Sequence, residues 1–181
     1  MDVHLQGTTR QASAERKRAS ILDAAESLFL ADGYERTSVD AIAARAEVSK
    51  RTVYDYFGDK LTVFSAALSR VGSKLLEAVR DALAREVPAG CRPYPSLLSF
   101  ARSVATVTFA SSEYVLYRRL LAAAPPSTIT QAPEQDPVDL LVARMAEFIA
   151  SGDLAATNPQ RVAEHFVALT FLVALDALPQ P

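Results

Sequence analysis

The chain has 181 residues, half of them hydrophobic, with six glycines, no tryptophan and a formal net charge of −2. That length and apolar content suffice to bury a core as one unit or two small ones, and they exclude disordered and collagen-like classes. Nineteen Lys or Arg against 21 Asp or Glu give no overall basic character, so any attraction to nucleic acid has to come from local placement.

Abundant alanine and leucine, with apolar residues repeating at three-and-four spacing, predict an all-α protein. Residues 1–12 are polar and aperiodic and read as a disordered arm. The N-terminus lacks a signal-peptide core, the single Cys91 excludes an internal disulfide, and the apolar run at 166–175 is shorter than the ~20 residues a bilayer span needs. The expectation is a cytoplasmic protein without a membrane span.

A first helix is expected from Ser13 to about Asp32, with Ile21, Ala24, Ala25, Leu28 and Phe29 on its buried stripe and Gly33 ending it. Thr37 or Ser38 then caps a short second helix carrying Val39, Ile42, Ala43 and Ala46 inward, with Asp40 near its positive end. Ser49 caps a third helix that ends at Gly58. In it Val53 and Phe57 lie four apart on the buried face, which leaves Lys50, Arg51, Thr52 and Asp55 outward. A longer helix followed by two short ones around a tight turn predicts a helix-turn-helix over 13–58, small enough at its tip to enter a major groove about 12 Å wide.

Residues 59–181 read as a second helical domain for ligand binding and dimerisation. A long helix is expected from Asp59 to about Glu86, then helices over 96–110 and 112–124, one from Pro137 to about Ala150, and a last one from Asn158. Phe100, Val104, Val107, Tyr114 and Tyr117, with Leu121, Met145, Phe148 and Phe166, are candidates to line one closed apolar pocket, where Arg118 could hold a carboxylate or pair with Glu113. Between Val162 and Leu178 thirteen of 17 residues are apolar, so this helix has a second face to hide; Phe171 and Leu175 are the candidate contacts of a homodimer. His165 has no second ligand at metal spacing, and no phosphate loop, nucleophile elbow or Cys/His cluster is present, so no cofactor, metal or enzymatic activity is expected.

The stretch TSVDAIAARAEVSKRTVYDYFGDKLTVF, residues 37–64, resembles the signature of the TetR (tetracycline-repressor) family: a capped Thr or Ser, an Ile-Ala pair, a short turn, then Thr, an aliphatic residue, Tyr, any residue, an aromatic, Phe and Lys. The resemblance covers about residues 14–64. It implies a homodimeric transcriptional regulator, most simply a repressor released from a palindromic operator by a small hydrophobic effector. It also implies that Thr37 or Ser38, Tyr54, Tyr56 and Lys60 touch phosphates while Lys50, Arg51 and Thr52 face base edges or the adjacent backbone, with Ser49 heading the same helix. Arg16, Lys17 and Arg18 would add a basic arm, and the C-terminal segment resembles the AefR-like branch of the family. Members usually carry one further long helix beyond VAEHFVALTFLVALDAL, so either the sequence is truncated or the dimer is built differently. A helical small-molecule-binding protein or enzyme with a vestigial helix-turn-helix is the other reading open at this stage, favoured by nine basic against ten acidic residues in 1–60.

Overall fold

The computed structural model describes residues 3–124, 137–155 and 157–177, and the side chains of 11–124, 138–155 and 157–170. Every regular element among them is helical: α1 (Val3–Arg36), α2 (Val39–Arg45), α3 (Lys50–Phe57), α4 (Lys60–Glu86), α5 (Pro93–Ser103), a π-helical turn (Val104–Thr108), α6 (Ser112–Ala122), α7 (Pro137–Ala150) and α8 (Pro159–Ala177). They divide into two compact units, one formed by described residues 3–71 and 116–124 and the other by 72–115 and 137–177. The first boundary falls inside α4 rather than at Gly58, and α6 is likewise shared between the units.

In the first unit α1 starts ten residues before the expected Ser13 cap, so the stretch read as an arm is helical from Val3. Gly33 breaks the helix with φ 78, a left-handed value that glycine adopts without a Cβ clash. Ser38 caps α2 by accepting from the Ala41 N–H at 3.1 Å, and Ser49 caps α3 by accepting from the Thr52 N–H at 3.0 Å. Between them Glu47 takes a left-handed φ of 56, unusual for a residue with a Cβ, and the Ser20 hydroxyl donates to the Ala46 carbonyl at 3.1 Å, tying α1 to the turn.

With seven and eight residues, α2 and α3 are too short to persist alone, and burial holds them. Ile21, Leu22, Ala25 and Phe29 of α1 pack with Ile42 of α2, Val53 and Phe57 of α3, Val63, Phe64 and Val71 of α4, and Leu120 of α6. Phe64 is fully buried and meets Phe29 edge-on at 5.0 Å and Tyr34 at 5.2 Å between ring centroids. Arg70 forks across to α1, reaching Asp23 at 2.6 Å and Glu26 at 2.7 Å, and these two carboxylates, Glu26 foremost, raise its pKa.

The second unit has its own core. Ala82 and Leu83 of α4, with Val87 just beyond it, pack with Phe100 of α5, Val104 of the π turn, Tyr114 of α6, Leu141, Met145 and Phe148 of α7, and Ala163 of α8. The π turn is closed by the Phe109 N–H donating to the Val104 carbonyl at 2.9 Å, a five-residue spacing. Asn158 caps the last helix through the Arg161 N–H at 3.1 Å, as its sequence predicts. No helix among the described residues is long and apolar enough to cross a membrane.

Phe64→Ala is expected to cost about 3–5 kcal/mol in urea unfolding, because it empties the centre of the first core. Asp59 accepts from the Thr62 N–H at 2.7 Å at the head of α4, and that bond, with further hydrogen bonding from Thr62, lowers its pKa. A depressed carboxyl stabilises the fold above its unfolded pKa of about 3.9 and loses that contribution as pH falls through the folded value. Thermal melts should therefore show Asp59→Asn less stable than the parent at pH 7, with the gap closing in acid.

Candidate nucleic-acid interface

The outward face of α3 follows from what its other face buries. Val53 is 1% exposed and Phe57 7% exposed, and on a helix of eight residues this pair fixes the rotation of all the rest. Lys50, Arg51, Tyr54 and Asp55 are exposed and Thr52 is half-buried, its hydroxyl 2.8 Å from the Ser49 hydroxyl. Tyr54 keeps 44% of its surface in solvent, whereas Tyr56 packs its ring against the core and beside Phe57.

Two of the residues expected on the phosphate-facing side are engaged otherwise. Thr37 is buried, with its hydroxyl donating to the Gly33 carbonyl at 2.8 Å, so it closes the break in α1 and Ser38 is the exposed cap of the pair. Lys60 donates to the Tyr34 carbonyl at 3.0 Å and lies 4.2 Å from the centroid of the Tyr34 ring, a cation–π contact that holds the ammonium against its own domain. Arg18 of α1 stands over the Phe57 ring at 5.3 Å, on the side of α1 that meets α3.

The basic residues of α3 have acidic neighbours that the sequence reading left out. Lys50 Nζ is 2.9 Å from Asp40 Oδ2 on α2, and this hydrogen bond raises the lysine pKa. Arg51 Nε is 3.8 Å from Asp55 Oδ2 one turn along, a looser pair. The Arg51–Asp55 spacing of four is legible in sequence; the Lys50–Asp40 pair depends on how α2 and α3 meet.

The residues expected to line one apolar pocket are dispersed. Phe100, Val104, Tyr114, Met145 and Phe148 belong to the second core, with Phe166 packed on it and stacked 6.1 Å from Phe100. Tyr117 packs on the first core instead, where burial pushes its phenol pKa up, while Leu121 and Arg118 are exposed. The second unit has a groove of about 380 Å³ lined by Lys74, Leu75, Ala78, Asp81, Arg85, Val107 and Glu113 among others, and of the ten expected ligand residues Val107 alone borders it. Glu113 has its pKa lowered, first by its own backbone N–H at the head of α6 and then by the Ser112 hydroxyl. The side chains of Phe171 and Leu175, expected at a dimer contact, lie outside the described residues. No cluster of three or more His, Cys, Asp or Glu among the described residues is placed to hold a metal ion.

Lys60→Ala is expected to lower folding stability by about 1 kcal/mol through loss of the Tyr34 contact, measured by urea unfolding without DNA. An unchanged midpoint would show that the ammonium contributes nothing to the fold.

Residues 21–67 match the family model for bacterial regulatory proteins of the tetR family. Over 69 residues the chain is 39% identical to the HTH-type transcriptional activator FasR of Mycolicibacterium smegmatis, which takes in 38% of this chain and 32% of that protein. Over 70 residues it is 34% identical to the DNA-binding transcriptional repressor TetR of Mycobacteroides abscessus, covering 39% of this chain and 37% of that one. The chain thus spans about a third of the length of these curated relatives, and the shared part is the end that holds the helix-turn-helix. A crystal structure of a putative TetR-family transcriptional regulator from Mesorhizobium loti superposes with a TM-score of 0.73 over 91% of this chain and 84% of that one at 24% identity, a likeness of fold. The segment that these proteins share with the chain is thus the helix-turn-helix capped by Ser38 and Ser49, which resembles that of the TetR family of bacterial regulatory proteins.

Proposed function

We propose that this chain is a ligand-responsive DNA-binding regulator, not an enzyme, that reads a palindromic operator through α3 as a homodimer in the cytoplasm. The observation that carries the reading is the one-sided burial of α3: with Val53 and Phe57 inside, Lys50, Arg51 and Tyr54 form an exposed polar tip at the Ser49-capped N-terminal end of the helix. Lys50 and Arg51 are the base-reading candidates, Thr52 flanks them, and Ser38, Ser49, Tyr54 and Tyr56 are the phosphate candidates. Two such tips are needed to meet successive major-groove faces about 34 Å apart. Support for a two-fold partner comes from α8, where Leu169 is 63% exposed on a helix rich in apolar residues, with Phe171 and Leu175 following it.

Repression is the sign we favour, relieved by a small hydrophobic effector. The apolar second unit supports that chemistry, and an effector preferring one of two arrangements of that unit would shift their populations and so alter DNA binding. Entry among Phe100, Met145 and Phe148 would require those packed side chains to part, while Val107 at the rim of the groove offers an approach from solvent.

Selection of random duplexes on the purified protein should enrich a two-fold-related sequence. In gel shifts on the selected duplex, Arg51→Ala should weaken binding by about 1–3 kcal/mol and relax preference at one position of each half-site. Enrichment of no sequence, or full affinity in the variant, would contradict the reading.

A further inference from the structure

On the outward side of the helix-turn-helix the charges cancel. Lys50 and Arg51 contribute two cations, and Asp40 and Asp55 lie against them with two carboxylates. The pairs are not equivalent. Arg51 is 89% exposed and only 3.8 Å from its partner, so its guanidinium is loosely held. Lys50 is hydrogen-bonded at 2.9 Å to a carboxylate that belongs to a different helix and is itself 67% exposed.

Neither partner is needed there for the local helix. Ser38 caps α2 and Ser49 caps α3, so Asp40 has no capping bond to make. An acid in the first turn of α2 suits that helix's positive end, but a lysine as the first residue of α3 opposes the positive end of its own helix. The Asp40 carboxylate offsets that mismatch and fixes the lysine's direction across the gap between the two helices.

We propose that Asp40 is a specificity-determining residue of the DNA-reading surface, acting as a positioning residue for Lys50 and as a fixed negative charge that penalises sequence-independent attachment to phosphate. The inference rests on the DNA-binding reading above and names what sets its selectivity. Non-specific affinity grows with the number of phosphates neutralised, and a lysine on a flexible stem finds phosphate on any duplex. Held by Asp40, Lys50 is withdrawn from that role, and the carboxylate faces repulsion from every backbone it approaches. At a correct half-site, base-edge contacts from Arg51 and its neighbours offset the repulsion; elsewhere nothing does. Specificity is gained by weakening the wrong complexes more than the right one.

The test uses the full chain and two duplexes, one selected by the wild-type protein and one random. Asp40→Asn should bind the random duplex about tenfold more tightly at low salt and steepen its salt dependence by about one unit, while binding the selected duplex little better, so that the ratio of the two affinities falls about tenfold. Asp40→Glu, which keeps the charge, should restore the ratio. In a Lys50→Ala background the substitution Asp40→Asn should steepen the salt slope less than it does in the parent, because only the carboxylate's own repulsion is left to remove, whereas a purely structural role for Asp40 would leave the slope unchanged in both backgrounds. If the wild-type protein selects a sequence but Asp40→Asn keeps the parental ratio and slope, or if Asp40→Glu lowers the ratio as far as Asp40→Asn does, the inference falls and the DNA-binding reading stands. If the wild-type protein selects no sequence, both fall.

Discussion

Burial of Val53 and Phe57 is the constraint on which the rest of the reading depends. An eight-residue helix has no stability of its own in water, so α3 exists because its apolar stripe closes the core built by Ile21, Ala25, Ile42 and Phe64. The same contact decides function, since whatever α3 does not bury it presents. Ser49 sets where the helix begins and Gly58, at φ 79, where it stops, so both the length and the rotation of the presented surface are fixed locally.

What the sequence made legible was mostly punctuation and periodicity. Gly33, Ser38, Ser49, Gly58, Pro137 and Asn158 act at the places their residue types suggest, because caps and left-handed glycines draw on neighbours within four residues. The turn between α2 and α3 was harder to read because Glu47, not glycine, takes the left-handed conformation, held by a carbonyl tether from Ser20 that lies 26 residues away in the chain. The start of α1 at Val3 was missed for a different reason: its first residues carry no apolar stripe for periodicity to detect.

The candidate site residues stand together in the motif, but their pairings do not show there. Motif spacing singled out residues 49–56 together; only packing reveals that Thr37 turns inward, that Lys60 lies against Tyr34, and that Lys50 belongs to Asp40. The acidic balance of residues 1–60, which weighed against DNA from composition alone, acquires a local explanation, since part of it lies directly against the cations of α3. Of the apolar residues expected together, Phe100, Val104, Tyr114, Met145 and Phe148 are interior to the second unit, whereas Tyr117 packs on the first core and Val107 is exposed at the rim of a groove: periodicity suggests that a side chain is buried, not which neighbours it is buried with.

The account stands most directly on which atoms of the protein sense DNA. Titrating a selected duplex into isotopically labelled protein and following amide and tyrosine-ring resonances would settle it. The account predicts that the largest shifts fall on residues 49–56 and on the ring of Tyr54, with Val53 and Phe57 responding only as neighbours. Shifts confined to the second unit, or none at saturating duplex, would contradict it.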